Sequence, residues 1–143
     1  MTSRPNVTSK DCKAEWMTPT YFILESLDWA DDRASGLIPP EMLEEVRRRG
    51  GGGRKLLANG QGGYHSSYST MPPGYRMDRH RHDYDEMVIV LEGGCTMDDG
   101  ATELRAHDSV VLPGGFVHAF TCGADGMKLL TIARGPFQTE LVP

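Results

Sequence analysis

From Tyr64 to the end of the chain, short runs of apolar and β-branched residues alternate with turn-forming clusters. The runs are Tyr64 to Met71, Arg79 to Asp83, Glu86 to Leu91, Thr96 to Met97, Thr102 to Arg105, Ser109 to Leu112, Val117 to Thr121 and Lys128 to Ala133. Pro72-Pro73-Gly74 and Asp98-Asp99-Gly100 carry tight-turn chemistry, and the second joins its flanking strands as a hairpin. Strands at this spacing with no helix between them predict an all-β domain built as a double-sheet jelly roll. Along Glu86 to Leu91, alternation places Glu86, Val88 and Val90 on one face and Met87, Ile89 and Leu91 on the other. Both faces are apolar. One can line a barrel; the other needs cover from the N-terminal segment or a second subunit, so a homodimer is expected.

The organisation changes near residue 62. Residues 1–62 read as an N-terminal arm, a short helix and a Gly-rich loop packing on the barrel, and residues 63–143 as the barrel domain. Tyr21-Phe22-Ile23-Leu24 is an apolar run suited to an edge strand or a packed arm. Pro39-Pro40 leads into a helix over Glu41 to Arg49 that ends at Gly50, with acids in its first turn and bases in its last. Glu44 to Arg48 and Glu45 to Arg49 are i,i+4 pairs, which makes Arg47-Arg48-Arg49 a solvated helix face rather than a phosphate patch. Gly50 to Gly53 followed by Arg54-Lys55 lacks the hydroxyl residue and helix that a phosphate loop requires. It reads as a flexible connection into a strand at Leu56-Leu57.

Candidate chemistry lies in the barrel. His80 and His82 are two residues apart, so on a strand their side chains leave the same face, whereas on a helix they diverge. Glu86 lies a further even separation along and joins them if the extended run continues. Two imidazoles and a carboxylate suit Fe, Mn, Ni, Cu or Zn, but one strand cannot surround an ion. The candidate fourth ligand is His118, where Pro113-Gly114-Gly115 launches an alternating strand with His118, Phe120 and Cys122 inward.

These two segments resemble the two signature motifs of the cupin superfamily. Gly74 to Gly93 reads G-x5-H-x-H-x3-E-x6-G and matches the first at every defining position. In the second, G-x5-P-x-G-x2-H-x3-N, Pro113, Gly115 and His118 fall in place, while His107 stands for the glycine and Cys122 for the asparagine. Histidine tolerates positive φ better than most residues, so His107 reads as a turn residue. The resemblance spans about residues 64 to 134, roughly half the chain. It implies a double-stranded β-helix, or jelly-roll barrel, whose metal is held by His80, His82, Glu86 and His118. It also implies an enzyme, with a dioxygenase-type oxidation of a small organic substrate and Fe(II) favoured over Mn, Ni, Zn or Cu. A non-redox isomerase, lyase or polyketide-type cyclase, or a non-catalytic binding barrel, are the alternatives.

Composition narrows the partners. A chain of 143 residues with 38% hydrophobic and 24% charged residues suits one globular core. A formal charge of −5 leaves no basic stripe for nucleic acid. Cys12, Cys95 and Cys122 cannot all pair, which points to a reducing compartment. With no secretory apolar run and no span for a membrane, a cytoplasmic protein acting on a small molecule is expected. Around the ligands, Asp83, Tyr84 and Asp85 interrupt the ligand run and are expected to be structural, facing away from the ion. Cys122 is expected as a small buried filler. Tyr68, Met71, Phe116 and Phe120 are expected to line the pocket or the core.

Overall fold

The computed structural model describes residues 18–30, 44, 48 and 53–143. Eight strands form a curled, entirely antiparallel sheet: β1 Gly53–Asn59, β2 His65–Met71, β3 Arg76–Arg81, β4 Glu86–Met97, β5 Glu103–Arg105, β6 Ser109–Leu112, β7 His118–Ala133 and β8 Glu140–Leu141. The all-β barrel expected from the alternating pattern is present. None of the helices among the described residues is long and apolar enough to cross a membrane.

The spine is the pair β4 and β7, in register from Glu86 opposite Ala133 to Met97 opposite Phe120. β7 carries β2 on its other edge at one end and β3 at the other, while β4 carries β6 and then β5. The sequence suggests breaks after Leu91 and after Thr121, because glycines follow. Instead both strands run through, with register shifts between Val90 and Glu92 and between Gly93 and Cys95. Such bulges bend a strand without ending its pairing. The bend is tight. Gly93 has φ +70, and a Cβ there would lie 2.1 Å from the Gly126 carbonyl oxygen. Gly126 has φ +73, and its Cβ would lie 2.4 Å from the Met71 oxygen. Three backbones therefore meet where only hydrogen fits.

Folding the sheet on itself brings Val90, Cys95, Leu104, Cys122, Met127 and Leu129 into one cluster with Tyr75. Val90 is fully buried, as the inward alternation of Glu86, Val88 and Val90 requires. Cys95 and Cys122 are both buried and face each other across β4 and β7. Cys122 is thus the apolar filler its position suggested. On the outer face Met87 is opposite Val111, and both are exposed, while Ile89 and Leu91 are half-buried.

The described part of the N-terminal segment is a packed arm rather than an edge strand. Ala30 N donates to Arg54 O at 2.7 Å, Lys55 Nζ donates to Leu24 O at 3.0 Å, and Trp29 lies 6.4 Å from Tyr68, centroid to centroid. The arm therefore covers β1 and β2 and leaves Met87 and Val111 outside. β1 begins at Gly53 within the glycine run and pairs with β2, so Arg54-Lys55 belongs to the sheet and not to a flexible connection. Of the helix over Glu41 to Arg49, Glu44 and Arg48 are helical and exposed; the remainder, like Cys12, lies outside the described residues. The two turns are as expected. Asp99 Oδ1 accepts from Ala101 N and Thr102 N at 2.8 Å each, closing the hairpin between β4 and β5. His107 has φ +77, the one non-glycine residue with positive φ among those described, which is the turn role proposed for it.

Candidate metal centre

Three separate places in the fold supply the donors. His80 lies on β3, and its Cα partner is His118, the first residue of β7. His82 follows just past the end of β3, where its carbonyl accepts from Gly115 N at 2.6 Å. Glu86 opens β4. A continued extended run is expected to carry Glu86 onto the face of the histidines, and there the structure differs. Residues 83–85 turn the chain from β3 into β4, held by Gly114 N donating to Asp85 Oδ1 at 2.8 Å and Arg134 N donating to Asp85 O at 3.1 Å. The turn, not the pleat, swings Glu86 back toward the imidazoles.

The ring centroids of His80 and His118 are 4.1 Å apart, those of His80 and His82 5.1 Å, and those of His82 and His118 5.5 Å. One nitrogen from each of the three lies within 4.8 Å of the others, so this histidine group is able to hold a metal ion. Glu86 Oε1 stands beside the group, 3.5 Å from His82 Nε2 and 3.8 Å from His118 Nε2. The opposite ring nitrogens are committed elsewhere. Nδ1 of His80 meets Asp78 O at 2.7 Å, that of His82 meets Gln138 O at 2.5 Å, and that of His118 meets Phe116 O at 3.1 Å. A carbonyl can only accept, so each Nδ1 carries the hydrogen and each Nε2 turns a lone pair toward the shared space. That is the tautomer a ligand needs.

Electrostatics agree with that donor set. Burial, with His118 nearby, pushes the His80 pKa down to about 4. Burial also lowers His82 and His118. Burial raises the Glu86 carboxyl to about 7. The close approaches of Glu86 to His82 and His118 are therefore not ordinary ion pairs: each group is pushed toward its neutral form. Neutral imidazoles are what a divalent cation binds, and a cation would draw the Glu86 proton off. The residues fit a metal ion.

The donors open into a cavity of about 120 Å³, near the ~150 Å³ that admits a benzene ring. Apolar side chains such as Val88, Met97 and Phe120 form most of its wall. Of the four residues expected near the pocket, Met71 and Phe120 line it. Tyr68 packs outside on Trp29, and Phe116 is 54% exposed.

Several lining residues escaped the sequence argument. Tyr84, expected to face away, is buried against His82, its ring stacked 4.9 Å from the imidazole and its hydroxyl 3.1 Å from His82 Nδ1. Tyr84 lies two residues from both His82 and Glu86, an even spacing that alternation puts on the ligands' side, so the expectation misplaced it. Phe137 and Thr139 come from the segment after β7. That segment also supplies the Gln138 carbonyl and then pairs as β8 with β3, where Arg81 and Glu140 form an ion pair at 2.8 Å. Arg54 reaches in from β1, its guanidinium 5.2 Å from the Phe137 ring centroid. No local sequence signal marked Arg54, Phe137 or Thr139, because long-range pairing brings them in.

The Cupin domain family matches residues 67–133. Among curated proteins no match is found. Of solved structures, KdgF from Halomonas sp. superposes with a TM-score of 0.60 at 19% identity, over 83% of this chain and 96% of that one. The polyketide cyclase RemF from Streptomyces resistomycificus gives 0.53 at 20% identity, over 63% and 70%. A cupin-like protein from Thermotoga maritima gives 0.52 at 22% identity, over 62% and 74%. At such identities the likeness is one of fold. The family match spans the strands that carry all three histidines, and residues 67–133 of this chain form a cupin domain.

Proposed function

We propose that the chain is a metal-dependent enzyme that oxidises a small organic substrate with dioxygen, at a mononuclear centre held by His80, His82, Glu86 and His118, with Fe(II) the favoured ion. Such an ion, when bound, supplies Lewis acidity and one-electron chemistry with dioxygen.

One observation carries the choice of chemistry. Among the described residues lining the cavity, the titratable groups outside the donor set are Arg54, Tyr84 and Cys95. Burial raises the Tyr84 phenol well above its ordinary value and pushes the Cys95 thiol up to about 11. Arginine stays protonated. An isomerase, lyase or cyclase that takes a proton from carbon needs a base near neutrality, and this wall holds none apart from the donors themselves. Oxidation of an enol or phenol needs no separate base, and a largely apolar wall excludes water. Solved structures of this fold carry names as different as oxalate decarboxylase, DMSP lyase and polyketide cyclase, so the fold alone does not select a reaction.

The test is metal analysis of protein purified without chelator, followed by oxygen uptake with a panel of enolisable and phenolic compounds. Iron with substrate-dependent uptake is the expected result. Tightly held zinc with no uptake selects the non-redox reading, and a loaded barrel that binds ligand without converting it selects a binding role. Pairing of two copies over the face that exposes Met87 and Val111 is proposed on the same footing. A monomer by light scattering at micromolar concentration counts against it.

A further inference from the structure

We propose that Arg54 is the substrate-recognition residue of this cavity and that the substrate it selects is a small carboxylate. The inference rests on the reading of the cavity as a substrate site and adds the class of molecule that enters.

Arg54 is the second residue of β1, on a strand that contributes no metal ligand, yet it is only 8% exposed and lines the same cavity as the three histidines. Its surroundings are built for a planar anion. The Phe137 ring stands 5.2 Å from the guanidinium carbon, which supports the cation on a π face. Ser69 is its cross-strand partner on β2, and Ser67 and Thr131 are partners on β2 and β7. All three hydroxyl residues are buried and line the cavity. Arg54 and these hydroxyls make a polar strip on a wall that is otherwise mostly methionine, valine and leucine. A guanidinium offers two parallel N–H groups, which match the two oxygens of a carboxylate, and hydroxyls beside it can donate to the same oxygens. An anion on the strip shares one cavity with the donor set, and the cavity volume limits it to a few carbons or one ring.

The experiment compares each of acetate, pyruvate and benzoate with its own amide, by titration calorimetry on chelator-treated and on metal-loaded protein. Wild type, R54Q and R54K are used, with melting curves and metal content recorded for each. The expected result is a preference for at least one carboxylate over its amide of about tenfold or more in chelator-treated wild type. R54Q loses that preference while amide affinity and metal content stay put. R54K, which keeps the charge without the fork, loses about threefold or more. No preference in wild type overturns the proposal, and so does a preference that survives in R54Q or stands at the wild-type level in R54K. Because the chelator-treated titration needs no ion, failure of Arg54 is read separately from failure of the metal assignment, which the metal content reports.

Discussion

His80 and His118 are cross-strand partners on β3 and β7, with ring centroids 4.1 Å apart and each side chain 3% exposed or little more. Two donors separated by 38 positions of sequence are thus neighbours on one hydrogen-bonded ladder, and the sheet sets their spacing. Removing one imidazole should empty the site and spare the sheet. For His118→Ala we expect metal affinity to fall by more than about 100-fold, beyond the usual effect of losing an outer partner, with the far-UV circular dichroism unchanged. Elemental analysis checks it; full metal content in the variant would remove His118 from the donor set.

Glu86 gives a prediction with a definite sign. Its carboxyl is raised from 4.5 to about 7 in the folded protein by burial. A group raised in this way contributes its full stability below the unfolded value and loses it as pH climbs through the folded one. In chelator, wild type and Glu86→Gln should therefore be equally stable near pH 4.5. By pH 8 the variant should be the more stable, by on the order of 2 kcal/mol. His80 runs the other way, since its value is lowered to about 4 by burial and by His118, so its contribution is lost only as pH falls from 6.5 through 4. Urea melts at the two pH values measure this divergence; an unchanged difference between them would contradict the burial of a protonated carboxyl.

Metal uptake should titrate in the same window. Binding must expel the Glu86 proton, so apparent affinity should drop about tenfold per pH unit below pH 7 and flatten above it. The same titration on Glu86→Gln should show no step there. Proton release measured in weak buffer during loading gives an independent count.

Tyr84 touches His82 by its ring and its hydroxyl. In Tyr84→Phe the stack remains and the 3.1 Å contact is lost, so metal affinity should fall by about 10-fold or somewhat more, with fold intact. Chelator competition reads this directly, and an unchanged affinity would make Tyr84 a packing residue alone.

At the bend of the spine, Gly126→Ala puts a Cβ 2.4 Å from the Met71 oxygen at a φ of +73. Strain and overlap together should destabilise the barrel by at least about 2 kcal/mol. Gly100→Ala, at φ +74 with open space around the new Cβ, is the control and should lose less, since it carries the strain alone. Equal losses would mean that the close approach is unimportant.

Much of this fold could be read from residue order. Short apolar and β-branched runs between turn clusters from Tyr64 onward specified strands, and Asp98-Asp99-Gly100 and His107 specified two turns, because those features are local. The three histidines were also legible, since a pleat fixes which face His80 shares and a Pro-Gly-Gly turn starts the strand of His118. What could not be read depends on distant pairing. Gly93 and Gly126 look like strand breaks until the opposing backbones are known. Phe137 and Thr139 reach the cavity because the segment after β7 returns to pair as β8 with β3. Arg54 sits among glycines that suggest looseness, and only its pairing with Ser69 reveals an inward strand.

All three imidazoles lean on main-chain oxygens, those of Asp78, Phe116 and Gln138, and on no carboxylate side chain. Apart from the Tyr84 contact at His82, their aim is therefore inherited from the path of the polypeptide. A lineage or an engineer can exchange the surrounding wall to admit a new compound while the donors stay trained on the same point. Under the proposed function, substrate choice and ion retention are separable traits in this barrel, and selection can act on the first without disturbing the second.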